Sequence, residues 1–155
     1  MRTASKKCEI CGRIRKIRSG EDPDFIAELE TGYLVLEDRR AFPGWVVFLC
    51  KEHVSELHLL DPGFRLKFLA EMALVSGAVF KALNPRKLNY ELLGNVCPHL
   101  HWHIIPRYAK DPSPKETVWK IEPAIAGKKT GDTRLNRSLR NKILARLRKS
   151  GAPIG

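Results

Sequence analysis

The stretch Pro98-His-Leu-His-Trp-His-Ile-Ile-Pro-Arg107 decides how the rest of this 155-residue chain is read. Three of the five histidines in the chain stand at alternate positions within it, His99, His101 and His103. Alternate side chains of an extended strand share a face, so the spacing predicts three imidazoles on one side. Leu100, Trp102 and Ile104 are expected on the other side, as core. A face carrying three groups that titrate near neutrality does not build a core; it points to chemistry. Pro98 suits the entry of such a strand, where its missing N–H removes no interior ladder bond.

Two chemistries call for this face. Either all three histidines bind one metal, or they divide labour between metal and phosphate. Alternate strand positions start about 6.5–7 Å apart, so neighbours can share a zinc while the outer two converge with difficulty. A hydrolytic zinc also wants a carboxylate base close by, and none lies between Gly94 and Lys110. Divided labour fits better. Neutral imidazole is an available nucleophile at pH 7, needs no separate base and carries no negative charge for a phosphate to repel. The resulting phosphorus–nitrogen bond is labile, so a second acceptor can complete the cycle.

Working outward, residues 25–29 and 33–37 read as two short strands joined by a hairpin turn at Thr31-Gly32. Phe42-Pro43-Gly44 turns the chain into Trp45–Cys50, an unbroken apolar run that fits a buried strand. Lys51-Glu52-His53 leads into a short helical or turn segment over 54–60. The spacing predicts a helix over 62–83, with Asp61 as its cap, Pro62 in the first turn and Asn84-Pro85 as its stop. Leu66, Leu69, Ala70, Ala73, Leu74 and Gly77 trace one face of it. Residues 87–94 are expected to be a strand, and 99–108 another. Past Tyr108 the Pro-rich run 111–123 is expected to wrap the surface. Leu135, Leu139, Ile143 and Leu147 mark 133–149 as an appended amphipathic helix, docked on the body or on a partner. The fold class is α+β: an antiparallel sheet with one main helix, plus the C-terminal amphipathic helix. Residues 1–110 are expected to form the main domain, and 111–155 a basic Pro-rich and helical extension packed on it.

Hydrophobic residues at 43% and charged residues at 29% give a soluble globular balance. No apolar run approaches the roughly 20 residues of a membrane helix, and the basic start lacks the apolar segment of a secretion signal. The expected location is cytoplasmic, with no membrane partner. In that setting the close pair Cys8-x-x-Cys11 suggests metal rather than a disulfide. The net charge of +11 is uneven: residues 127–155 sum to +8, 1–18 to +6, and 19–126 to −3. The ordinary reading of these ends is solvated charge, yet basic extensions on a near-neutral body attract polyanions, including nucleic acid.

The motif His99-Leu-His-Trp-His-Ile-Ile-Pro-Arg-Tyr108 resembles that of the histidine triad (HIT) family. Leu88-Asn89, Gly94-Asn95 and Phe42-Pro43-Gly44 look like its nucleotide-binding part, so the resemblance covers roughly residues 8–108. It is similar to the zinc-containing bacterial branch that hydrolyses diadenosine tetraphosphate-like dinucleotides. The resemblance implies that His101 is the nucleophile at the α-phosphate and that His103 contacts the phosphate and assists the leaving group. It further implies phosphate contact at Asn95, ribose contact at Glu37 or Asp38, and added contacts at Asn89 and at Arg107, which shares the face by parity. It implies a structural zinc on Cys8, Cys11, His53 and His99, with Cys97 a lower-ranked competitor for His53. A homodimer is implied too, with the main helix and the strand near Lys87 at its interface. Phosphorylase or nucleoside phosphoramidase activity, or a catalytically idle binding module, are the alternatives. The chain departs from the family at Trp45, where many members have a histidine, at Val96, where some have a serine, and in the short loop between Asn89 and Gly94. Core filling is the expected role of Trp45.

Overall fold

A computed structural model describes residues 7–37, 39, 41–121 and 133–155. Five antiparallel strands form one sheet: β1 (Phe25–Glu28), β2 (Gly32–Leu36), β3 (Val46–Cys50), β4 (Lys87–Glu91) and β5 (His101–Arg107). Their spatial order is β1-β2-β3-β5-β4, which puts β3 and β5 in the interior. The described residues hold three α-helices, α1 (Glu9–Arg18), α2 (Pro62–Leu83) and α3 (Arg134–Lys149), and two short 3-10 turns at Leu57–Leu59 and Val118–Lys120. The α+β class expected from the sequence is observed.

Both faces of the sheet are covered, which is why β3 is apolar at every position. On one face Leu34, Leu36, Val46, Phe48, Cys50, Leu100 and Ile104 pack with residues of α2 and α3. On the other, Tyr33, Val35, Val47, Leu49 and Ile105 pack with Ile10, Ile14 and Ile17 of α1 and with Phe42, Trp45, Val118 and Ile121. The pleat sends Val46 and Phe48 one way and Val47 and Leu49 the other. The second face carries the histidines, because Val47 pairs with His103 and Leu49 with His101.

Helix α2 starts as expected. The Asp61 carboxylate accepts from the amides of Gly63 and Phe64, and the helix ends at Asn84 in the left-handed conformation, φ 47°. Its buried face is not the one the spacing suggested. Phe68, Val75, Ser76, Ala78 and Val79 are buried, Phe68 stacking on Phe48 with ring centroids 5.1 Å apart. Leu66 is 68% exposed, and Ala70, Ala73 and Gly77 also face outward. The helix is apolar nearly all round, so periodicity alone does not select a face; the aromatic and β-branched stripe fills more core volume. In α3, Leu139, Ile143 and Leu147 are buried as expected, whereas Leu135 is exposed and Asn136 takes its place inside. The helix packs on α2 and β1.

Two further differences position the site. Strand β5 begins at His101, and His99 lies in the bend leading into it, where its amide bonds to the Cys97 carbonyl. Strand β4 stops at Glu91, short of Gly94. Helix α1 was not foreseen, although Ile10, Ile14 and Ile17 at helical spacing carry its signal.

Candidate active site and metal centre

Four donors converge where α1 meets the lead-in to β5. Cys8 caps α1, its sulfur accepting the Cys11 amide at 3.5 Å; Cys11 lies in the first turn, His53 follows β3, and His99 precedes β5. A tetrahedral zinc with ordinary bond lengths requires about 3.5 Å between sulfur and nitrogen ligands and about 3.3 Å between two nitrogens. The observed separations are 3.5 Å from Cys8 Sγ to His99 Nδ1, and 3.4 Å from Cys11 Sγ to each of His53 Nδ1 and His99 Nδ1. The two nitrogens are 3.2 Å apart. His99 Nε2–H donates to the Cys50 carbonyl at 2.9 Å, which leaves Nδ1 with the lone pair a metal needs. Burial holds the His99 imidazole below its usual pKa range against the opposing pull of that carbonyl, so the neutral, ligating form is favoured. The four residues fit a closed structural zinc site. Cys97 lies beside the cluster, its sulfur 3.8 Å from that of Cys8, and His53 completes the four-donor set.

His101 and His103 are not among those four donors. They line a cleft of about 320 Å³ together with Glu9, Ile10, Arg13, Glu37, Val47, Leu49 and Cys97. Their rings meet edge to face, centroids 4.9 Å apart. His101 Nδ1 lies 2.6 Å from the His99 carbonyl oxygen. A carbonyl can only accept, so Nδ1 carries the proton and Nε2 keeps its lone pair. Burial first, then the neighbouring His101, then Arg39 push the His103 imidazole down to about 4, so it is neutral at pH 7.

Glu37 is the one expected ribose contact within the described residues, and it does line this cleft. Arg13 Nη1 and Arg39 Nε stand 3.6 and 3.3 Å from its carboxylate. Asp38 lies outside the described residues. Asn95 is exposed in the loop after β4 and lines neither this cleft nor the next.

Arg107 follows the parity of β5 and is buried, with its guanidinium bonded within the protein: Nε donates to Asp111 at 2.8 Å, and Nη1 donates to Asn89 Oδ1 and the Glu116 carbonyl. It thereby pins the segment after β5. Asn89 is committed as its acceptor, and both residues line a separate cleft. A buried guanidinium must find acceptors where it lies, and these are supplied by the protein.

Trp45 is 4% exposed and does fill core. It also does something the sequence reading missed: its Nε1–H donates to His103 Nδ1 at 3.1 Å. Gly44 makes this approach feasible, with φ +85° and no room for a Cβ, which would lie 2.2 Å from Leu83. Trp119, from the 3-10 turn after β5, lies edge-on to both Trp45 and His103 with centroids 5.5 and 5.4 Å away. Its Nε1–H donates to the Glu91 carboxylate. Arg13, Arg39 and Trp119 carry no local motif, and only the fold brings them to the histidines.

No helix among the described residues is long and apolar enough to cross a membrane. No curated protein matches the chain significantly. Solved structures do. A histidine triad protein from Sinorhizobium meliloti 1021 is 25% identical, with a TM-score of 0.68 and coverage of 86% of this chain and 93% of that one. One from Bradyrhizobium japonicum is 28% identical, with a TM-score of 0.65 and coverage of 81% and 94%. A zinc-bound histidine triad family protein from Mycobacterium smegmatis shares the fold at 22% identity and a TM-score of 0.62, covering 93% of this chain and 97% of that one. The family model of the HIT domain matches residues 19–110, more than half of the chain and all five strands, and the chain therefore belongs to the HIT family.

Proposed function

We propose that this protein is a nucleotide hydrolase or transferase that acts at the α-phosphate of nucleoside polyphosphates through a nucleotidyl intermediate on His101. The observation that carries the reading is the hydrogen bond from His101 Nδ1–H to the His99 carbonyl, which leaves Nε2 as a nucleophile beside an open cleft. The Nε2 lone pair attacks the α-phosphorus, a phosphorus–nitrogen bond forms, and the bond to the leaving phosphate oxygen breaks. His103 donates a hydrogen bond to the departing or non-bridging oxygen. Water or another acceptor then attacks phosphorus from the opposite side, the phosphorus–nitrogen bond breaks with its electron pair returning to His101 Nε2, and the acceptor's proton passes to solvent. Arg13 lines the cleft paired with Glu37, and Arg39 pairs with the same carboxylate. Glu37, Asp38 and Asn95 stay in the proposal as the ribose and phosphate contacts that the resemblance implies. Diadenosine tetraphosphate-like dinucleotides are the first substrates to test, with nucleoside phosphoramidates and phosphorolysis beside them.

Cys8, Cys11, His53 and His99 would hold a structural zinc, which neutralises two thiolates and ties α1 to the base of β5. A homodimer through α2 and β4 belongs to the same reading.

The test is His101→Ala. Turnover of dinucleotide substrates is expected to fall by about 10⁴-fold while zinc content and melting temperature stay at wild-type values. A slow substrate is expected to leave an adduct on His101 detectable by mass spectrometry. Near-wild-type hydrolysis by the variant would reject the nucleophile.

One observation favours a second reading, a nucleic-acid-binding module. Helix α3 carries seven Lys/Arg and no acid in sixteen residues, and with Leu139, Ile143 and Leu147 buried, six of its ten exposed positions are cations. Binding of an RNA or DNA oligonucleotide should then weaken linearly in log–log salt titration and fall with Lys142→Glu, Arg146→Glu and Lys149→Glu together. Salt-independent or absent binding removes this reading.

A further inference from the structure

Two imidazoles of the same chemistry line one cleft, and nothing in the residue type says which attacks and which donates. The hydrogen bonds on their inner nitrogens decide it. His101 gives its Nδ1 proton to a carbonyl. His103 Nδ1 faces an indole N–H, which can only donate, so that nitrogen must be the acceptor. A neutral imidazole has one proton; with Nδ1 accepting, it sits on Nε2. The neighbouring rings therefore hold opposite tautomers.

We propose that Trp45 is the positioning residue that assigns His103 its role, locking it in the Nε2–H tautomer so that toward the cleft it donates a hydrogen bond and cannot act as nucleophile or base. The hydrogen bond stands on geometry alone; its use in catalysis rests on the nucleotidyl-transfer reading given above.

Three features of the surroundings support a lock rather than a loose contact. Trp45 is itself held, buried in the second core cluster and edge-on to Phe42 at 6.2 Å between centroids. His103 is boxed by Trp45, Trp119 and His101, all within 5.5 Å between centroids and all near perpendicular, so the ring has little freedom to flip. And the neutral state in which tautomers matter is the one that burial imposes on His103 at physiological pH. A histidine at position 45 could donate or accept; an indole removes that choice.

The experiment uses the full chain with ¹⁵N-labelled histidine and tryptophan. NMR is expected to report His103 with a protonated Nε2 and an unprotonated Nδ1, and a through-hydrogen-bond coupling between Trp45 Nε1 and His103 Nδ1. In Trp45→Phe, which keeps a ring and loses the N–H, the Nε2–H population of His103 should fall. The kcat should drop about tenfold with KM nearly unchanged, the size expected for losing one ordinary hydrogen bond. Trp45→His, which can donate or accept, should recover only part of that loss. An unprotonated His103 Nε2 in the wild type, a missing coupling, or an unchanged tautomer in Trp45→Phe each overturns the proposal. The coupling is read on the unaltered protein, so it decides the matter even where Trp45→Phe does not fold. Failure of the enzymatic reading is distinct, since it shows as no turnover on any nucleotide while the coupling persists.

Discussion

His103 has a thermodynamic signature of its own. Its folded-state pKa of about 4 lies below the ordinary value of 6.5, because the buried ring resists becoming a cation. Between those two values the unfolded chain binds a proton that the folded chain refuses. Stability contributed by neutral His103 is therefore fully present above about pH 6.5 and lost as pH falls toward 4. The shift is worth about 3 kcal/mol in all. Comparing urea stability of wild type and His103→Gln across this window, at the same zinc concentration, isolates the contribution from that of the metal ligands. The wild type should lose about 3 kcal/mol more than the variant. Parallel acid profiles would show that His103 is not held neutral by the fold. At the same scale, the division between His101 and His103 was implied by the family resemblance, whereas their tautomers were not legible in the sequence, since a tautomer depends on what the far nitrogen touches.

Among the elements, α1 depends most on the metal centre. It is ten residues long, too short to be stable alone in water. Ile10, Ile14 and Ile17 pack it on the sheet, and Cys8 and Cys11 lie at its start. Removing zinc should therefore act locally before it acts globally. Chelation, or His99→Ala, is expected to raise amide exchange and protease cleavage in residues 9–18, with α2 and β3 still protected. Overall destabilisation of about 3 kcal/mol or more should accompany the loss of metal. Equal protection of α1 with and without zinc would rule out this anchoring role. The strands were legible because apolar runs, the alternation in β5 and turn residues are local properties: Thr31 and Phe42-Pro43-Gly44 lie in the turns before β2 and β3. The burial of α2 was not, because a helix apolar on most sides offers two candidate stripes and only the partner surface chooses.

At the scale of the whole molecule, that choice leaves an apolar face uncovered. Met72, Ala73, Gly77, Phe80, Leu88 and Tyr90 line a groove of about 430 Å³ between α2 and the edge strand β4, with Phe80 44% and Tyr90 49% exposed. Covering it with a second copy is the proposed homodimer, and an edge strand left bare is otherwise a liability. Sedimentation at micromolar concentration should give a dimer for the wild type and a monomer for Phe80→Glu. A wild-type monomer would contradict the assembly. Residues 133–155 act at this scale too: Leu139, Ile143 and Leu147 complete the core over α2 and β1, so the basic extension is part of the folded body as well as a charged surface.

By itself the sequence determined the α+β class, the strand that carries His101 and His103, and the start and stop of α2, which follow from periodicity and capping acting over a few neighbouring positions; the four metal donors were named through the family resemblance. Only the tertiary structure decided that Arg107 donates to Asn89, that α2 turns Phe68 inward and Ala73 outward, and that Trp45, just before β3, reaches across to His103. Each of those outcomes depends on groups far apart in the chain competing for the same buried partner or volume, and such competition is resolved only when the surfaces meet.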